Sequence, residues 1–306
     1  MRIGVLSYYH VGRRVSLEES RLKQEGQILA ATVRIFRAAN CQLVFDSGGP
    51  SILHQGKRFP HLDVLIPRMT VLKHVELQSA LLKQFQLSGV PVVNGFRPIN
   101  RAKNKLNTMQ ILSHHGIPVP KTIVIRRMSQ LDFAVKYLGG LPVILKSPFG
   151  SYGSGVVIAD TKRSLTSSLG AIFWGHEMSI VLLQQFIRES KGKDIRVFVV
   201  GGKVTAAMMR QAAFGEFRSN IELGGAGEKV EITPDEASVA LRAASVLGLE
   251  IAGVDIVRSD FGPLVLEVNG NPGFKKLEEV TGANVARAII EHALSRAGKG
   301  DSDYAQ

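Results

Sequence analysis

The chain has 306 residues with a hydrophobic share of 45% and a charged share of 21%, which excludes a disordered or fibrous protein and leaves room for two or three domains with substantial cores. No stretch approaches the roughly 20 apolar residues that span a bilayer, and the single cysteine, Cys41, excludes an internal disulfide and fits a reducing, cytoplasmic setting. A net charge of +12 favours polyanionic partners, which include nucleotide phosphates, nucleic acid and acidic polypeptides, without choosing among them.

Residues 2–7 read as a buried strand, and the short apolar start that reaches Arg13 and Arg14 does not have the make-up of a secretory signal. The spacing of Leu22, Ile28, Leu29, Val33 and Ile35 predicts one long helix over 17–39. Strands follow at 42–45 and 63–66 with a break at Gly48, Gly49 and Pro50, then a helix over 72–87 and a short strand at 91–93. Strands alternating with helices imply a mostly parallel sheet covered on both faces, so residues 1–97 are expected to form an α/β domain. A second unit, 98–190, opens with a basic helix over 101–115. It continues through strands at 122–125, 143–146, 156–159 and 180–184 with helices over 129–138 and 164–173, which gives it an α+β character. The third unit, 191–297, starts with a hairpin of strands 195–200 and 203–209 turning at Gly201 and Gly202. A helix over 234–247 with Thr233 as N-cap, a second hairpin and a last helix over 284–297 complete it, and 298–306 reads as a frayed tail.

The second hairpin carries carboxylates. Its apolar runs, 251–257 and 264–268, hold Asp255 in the first and Glu267 at the end of the second, with Asn269 two residues beyond, so the period of two sends Glu267 and Asn269 to one face. An unpaired carboxylate in an apolar strand costs several kcal/mol, roughly, unless a cation or donors meet it. Oxygen ligands of this kind suit Mg2+ or Mn2+; ordinary salt bridges to the many basic residues are the competing reading. The turn Gly270, Asn271, Pro272, Gly273 permits close backbone approach to a ligand.

Upstream, Lys146 ends an apolar strand and is followed by the loop GSYGSG, 150–155, whose amides can donate to phosphate oxygens while the lysine supplies charge. The loop matches neither the P-loop nor a GxGxxG opening a helix, and a plain tight turn is its other reading. Lys105 sits on the basic helix, which also suits a solvated face. Gln184, Gln185, Phe186 and Ile187 lie at a strand end that can pair with the edge of a nucleobase. Asp194, with Arg196 close by, can take both hydroxyls of a ribose or form a local ion pair with Arg196. Arg210, Arg218 and Asn220 flank a glycine-rich segment and can clamp carboxylate or phosphate, or be merely solvated. His114 and His115 show no metal-ligand spacing.

The order of these features is more informative than any one of them. RAKNKLNTMQIL, ILKSPFGSYGSGV, GKDIRVFVVGGKV, FRSNIELGGAG, AGVDIVRSDFGPLVLEVNGNPG and TGANVA resemble the successive motifs of the ATP-grasp superfamily, and within it the RimK-like amino-acid ligases, over nearly the whole chain. The resemblance implies an ATP-grasp fold behind an N-terminal Rossmann-like pre-ATP-grasp domain. By position it implies that Lys105 and Lys146 hold ATP phosphates under a mobile loop containing Gly150, Gly153 and Gly155. Gln184, Gln185, Phe186 and Ile187 then fall in the adenine linker, Asp194 with Arg196 at the ribose, and Asp255, Glu267 and Asn269 at Mg2+ or Mn2+. Arg210 corresponds to a phosphate or acyl-phosphate clamp, while Arg218 and Asn220 lie where such ligases meet their amino-acid or acceptor groups.

The reaction implied is amide-bond formation through an acyl phosphate, with glutamate added to a protein C-terminus or peptide. A different amino acid or a small-metabolite acceptor is the nearest alternative, and a nucleic-acid or ribosome-binding protein with a degenerate ATP site is the alternative from another class. The implied partners are ATP, an amino acid and an acidic acceptor, with no membrane, in a cytoplasmic homo-oligomer. Three departures stand out: Gln185 where many relatives carry glutamate, Ile221-Glu222-Leu223 where the segment is often more basic, and Asn271 for a smaller residue.

Overall fold

The computed structural model describes residues 1–8, 15–68, 75–148, 155–173, 180–190, 192–213, 216, 218–219 and 224–299. Strand β1 (Arg2–Ser7) leads to α1 (Leu17–Ile28), which begins at Ser16 with a reciprocal cap: the Ser16 hydroxyl accepts from the Glu19 amide, and the Glu19 carboxylate accepts from the Ser16 amide. The helix expected over 17–39 therefore stops at Ile28, and 32–37 is instead β2 (Thr32–Arg37). Ala30 turns the chain with a left-handed φ of 55°, and Gly26 leaves the room that Val33 fills. The β-branched and aromatic residues of Thr32–Arg37 then pair in parallel with β1, where a pleated surface suits them.

Next come β3 (Cys41–Asp46), β4 (Gly49–His54), β5 (Lys57–Arg58) and β6 (Val64–Arg68), followed by α2 (Val75–Leu87). β1 lies parallel between β2 and β6, whereas β3, β4 and β5 form a small antiparallel sheet of their own. The glycines expected to break the chain at 48–50 instead turn β3 back onto β4.

The single basic helix expected over 101–115 is two helices, α3 (Phe96–Lys103) and α4 (Lys105–His114). Asn104 leaves the helical region at ψ 105° and caps α4, its side-chain oxygen accepting from the amides of Leu106 and Asn107. β7 (Thr122–Ile125), α5 (Leu131–Tyr137), β8 (Val143–Lys146), β9 (Val156–Ala159), α6 (Lys162–Phe173) and β10 (Val181–Gln185) build a four-stranded antiparallel sheet in the order β7-β10-β8-β9. Leu131, Leu145, Leu165 and Leu183 centre its core.

The remainder comprises β11 (Lys193–Val200), β12 (Lys203–Gln211), β13 (Ala226–Lys229), α7 (Pro234–Leu247), β14 (Ile251–Ser259), β15 (Gly262–Asn269), α8 (Lys275–Thr281) and α9 (Val285–Arg296). The five strands form an antiparallel sheet in the order β13-β12-β11-β14-β15, with β11 at its centre. Thr233 caps α7 as expected. β13 and α8 lack a sequence signal because the first is a polar edge strand and the second buries only Leu277 among its seven residues.

α7 covers one face of this sheet through Val239, Ala243 and Leu247 against Val197 and Val254. On the other face Phe198, Val200 and Phe274 share a core with α9 and with Ile3 and Val5 of β1. Asn94, buried at 3% exposure, ties the N-terminal part to the hairpin of β14 and β15. Its amide donates to the Ile251 and Gly270 carbonyls at 2.6 and 2.7 Å, and its oxygen accepts from the Glu250 and Ile251 amides at 2.7 and 2.9 Å. Among the described residues no helix is long and apolar enough to cross a membrane.

Candidate active site

Strand β11 organises the site. Asp194 and Arg196 are two apart on it and so share a face. Asp194 stands directly opposite Arg210 on β12, Arg196 directly opposite Asp255 on β14, and Asp255 directly opposite Glu267 on β15. Facing residues on neighbouring strands come closer than residues two apart along one strand. The charges accordingly pair across strands, and the local Asp194–Arg196 ion pair weighed from the sequence does not form.

Arg210 donates from Nε and Nη2 to the two oxygens of Asp194, both at 2.7 Å, and its Nη2 also reaches Asp255 Oδ2 at 2.8 Å. Ser219 Oγ donates to Asp194 Oδ2 at 2.5 Å. From the adjacent strand β11, Arg196 grips Asp255, Nε to Oδ1 and Nη2 to Oδ2, the latter at 2.8 Å. Asp194, Arg210 and Asp255 are only 6%, 4% and 5% exposed, so this row of alternating charges is desolvated and every member depends on its neighbours.

Burial and the nearby Asp255 charge push Asp194 above the usual carboxylate range, against Arg210 and Ser219. At Asp255 burial acts upward too, but Arg196 and Arg210 outweigh it and hold the carboxyl below its ordinary value. The salt-bridge reading of Asp255 is thus realised in full, and two arginines meet it where the sequence suggested a cation.

Lys146, at the end of β8, faces this row from the four-stranded sheet. Burial lowers its ammonium to about 8, with Lys105 lowering it further and Glu267 and Asp255 opposing. Lys105 opens α4; its amide donates to the Pro148 carbonyl at 2.9 Å and its Nζ lies 3.9 Å from Glu267 Oε1. The structure brings Lys105, Lys146 and Glu267 together, although each comes from a different element.

Between the two sheets runs an open cleft with a volume of about 130 Å3. Ile144, Lys146 and Val156 form one wall, Asp194, Arg210, Asp255, Leu266 and Glu267 the other, and Gln184, Gln185, Phe186 and Ile187 the strip joining them. The Gln184 side chain is committed to Thr122 Oγ1 at 2.9 Å, and the Gln185 amide to the Lys121 carbonyl. Arg218 lines the cleft but holds Glu216, Nη2 to Oε2 at 2.6 Å. Arg196 is not among the lining residues. Asn269 pairs with Gly253 at the end of β15, two positions along the ladder from the Asp255–Glu267 pair, and like Lys105 it is not among the lining residues.

Gly155 adopts a φ of 73°, open to glycine without strain, and its carbonyl accepts from the Ser147 amide. Gly150, Gly153 and Asn220, like 221–223, lie outside the described residues.

Sequence reasoning did not find Ile144, Val156, Ser190, Lys193, Ser219, Val257 or Leu266, all of which line the cleft. Leu266 faces it because β15 carries one residue more than β14 at that point, a bulge between Asp255 and Ile256 that turns Leu266 and Glu267 to the same side. An apolar residue beside an acid in a strand carries no mark of a bulge. Alternation of polar and apolar residues is the one available signal, and a continuous apolar run such as 264–268 obscures it.

Two antiparallel sheets closing on a cleft with lysines on one side and an arginine and acids on the other define the ATP-grasp class. Residues 102–293 match the RimK-like ATP-grasp domain and residues 1–99 the RimK PreATP-grasp domain, so the chain belongs to the RimK-like ATP-grasp family and is an ATP-dependent, ADP-forming ligase. It is 40% identical over 298 residues to "Probable alpha-L-glutamate ligase 2" of Pseudoalteromonas atlantica, covering 97% of this chain and 96% of that relative. Identity is also 40% over 280 residues to "Probable alpha-L-glutamate ligase" of a Picosynechococcus species, 92% of each chain.

Among solved structures, the RimK domain ATP-grasp protein of Sphaerobacter thermophilus superposes with a TM-score of 0.74 at 22% identity, over 96% of this chain and 100% of that one. The ATP-grasp ligase PsnB, solved with a phosphomimetic variant of its minimal precursor, Mg and ADP, gives 0.72 at 18% identity over 96% and 98%. At these identities the two structures speak for the fold alone.

Proposed function

We propose that this ligase transfers the γ-phosphoryl group of ATP to a carboxylate at the end of a protein or peptide, and that the amino group of glutamate then attacks the acyl phosphate. An amide forms, phosphate leaves and the amine gives up a proton. The observation that carries this reading is the meeting of Lys146 and Arg210 with Asp255 and Glu267 on one cleft, with Lys105 behind Glu267, beside an apolar shelf of Ile144, Phe186, Ile187 and Leu266. The relatives' names support glutamate as the added residue.

The donor set fits a divalent cation. Among the described residues there is no group of three or more His, Cys, Asp or Glu able to cage a metal. Asp255 and Glu267 with the amide of Asn269 instead suit Mg2+ or Mn2+, which take their remaining ligands from phosphate and water. When bound, the ion would neutralise phosphate charge.

Lys105 and Lys146 bind phosphate oxygens, and the loop with Gly150, Gly153 and Gly155 covers them and excludes water. Asp194 and Asp255 use Nε and Nη2 of Arg210, which presents its Nη1 edge to the phosphate or acyl phosphate. Among the described residues one lone-pair position is left on Asp194, at Oδ1, which suits one ribose hydroxyl. Arg218 and Asn220 meet the carboxylate of the incoming group. In this division residues 1–97, 98–190 and 191–297 act as three units, with 184–187 as the strip on which the adenine rests.

Nucleotide affinity should depend on pH through Lys146. Its ammonium is held down to about 8, so the charge that attracts phosphate is present below that pH and is lost as pH rises through it. Calorimetric titration with ATP between pH 7 and 9.5 is expected to show affinity falling by up to about tenfold per pH unit above 8. Lys146→Arg keeps its charge and should flatten the slope; an equal slope in both proteins would exclude Lys146 as its source.

The direct test of the reaction is purified protein with ATP, Mg2+, a panel of amino acids and a fractionated extract, followed by mass spectrometry. Increments of one glutamate residue on a polypeptide, with ADP released, support the proposal. Increments of another amino acid, or on a small metabolite, would replace it.

A further inference from the structure

Arg196 does not line the cleft, yet it is built into the acid row. Its side chain lies against Gly253: a Cβ placed on that glycine would sit 3.1 Å from Arg196 Cδ, 3.5 Å from its Nε and 2.8 Å from Pro272 Cβ. Glycine at 253 keeps that path clear of a side chain. The arm ends in the two-pronged grip on Asp255, while Arg210 Nη2 approaches Oδ2 of the same carboxylate at 2.8 Å from β12, one strand beyond β11. An ionised carboxylate offers about four lone-pair positions. Among the described residues three are taken, both of those on Oδ2 and one on Oδ1.

We infer that Arg196 is a positioning residue that restricts Asp255 to coordination through Oδ1 alone, and thereby makes the site selective for Mg2+ or Mn2+ over Ca2+. The inference rests on the placement of the metal at Asp255, Glu267 and Asn269 proposed above. Ca2+ takes six to eight oxygen ligands and readily draws both oxygens of a carboxylate, whereas Mg2+ needs an octahedron of single oxygens and keeps several waters. Denying the second oxygen of Asp255 deprives Ca2+ of a ligand and takes nothing from Mg2+. A lysine at 196 retains the positive charge but has no fork to occupy both oxygens at once, so it separates the electrostatic role of Arg196 from its control of coordination.

The test measures Mn2+ binding to the full chain with ADP by electron paramagnetic resonance, with Ca2+ as competitor and ADP alone as reference. In the natural protein, Ca2+ should displace Mn2+ at least about tenfold less readily than it does from ADP alone. Arg196→Lys should bring the ratio of Ca2+ to Mn2+ dissociation constants down by roughly tenfold. Arg196→Gln should move it in the same direction.

A ratio unchanged in Arg196→Lys, with Mn2+ still bound, overturns the inference and leaves the metal placement standing. Absence of Mn2+ binding by the natural protein with ADP overturns the placement and the inference together. Should the variants not fold, the natural protein decides, because a ratio equal to that of ADP alone overturns the inference without them.

Discussion

Glu267→Gln and Lys146→Met should each abolish substrate-dependent ADP release while the fold survives. The charges these residues bring to the cleft act on phosphoryl oxygens as they are transferred, and a single preorganised group of this kind is worth about 10^2–10^3-fold in rate. Two of them interacting with the same triphosphate give losses at the upper end or beyond. Stability points the other way for both substitutions. The Glu267 side chain is 33% exposed and tolerates an amide of the same shape, and Lys146 is a desolvated ammonium whose removal relieves a cost of burial. A coupled assay for ADP, read beside a thermal melt, separates the outcomes. Undiminished turnover in both variants by native-like protein would sink the site assignment.

Asp255→Asn should act on stability as much as on activity. The substitution leaves two desolvated guanidiniums, Arg196 and Arg210, facing a neutral amide, and removing one partner of a buried ion pair costs about 3–5 kcal/mol. Urea unfolding should show the midpoint falling with an unchanged slope. The pH dependence gives a second signature. Because Arg196 and Arg210 hold Asp255 below the usual carboxylate range, its contribution is present above the unfolded value and is lost only as pH falls through the lower folded value. The natural protein should therefore lose this increment below about pH 4, whereas Asp255→Asn lacks it throughout and has a flatter acid limb. A cost under 1 kcal/mol at neutral pH would mean that the arginines find other partners.

Asp255 is also where the two readings of an acid in an apolar strand meet. Ion pairing and cation binding stood as alternatives in the sequence. The structure shows the ion pairs, and among the described residues they leave one lone-pair position on Oδ1 unoccupied, so the first reading shapes the second.

The sequence by itself determined the period of most strands, the cap at Thr233, and the hairpin of β14 and β15. These are local properties, set by propensity, turn chemistry and spacing within about ten residues. It misplaced the end of α1, because Leu22, Ile28, Leu29, Val33 and Ile35 satisfy a helical period while pairing with β1 makes the second half of that run a strand.

Only the tertiary structure decided which charges face one another. Arg196 and Asp255 are 59 residues apart and Arg210 and Asp194 are 16, and they pair because the register of β11 against β14 and β12 sets them opposite. A shift of one residue in either register would send the same side chains to the other face. The bulge at Leu266 and the path left open at Gly253 are of the same kind, since both depend on how one strand lies against the next.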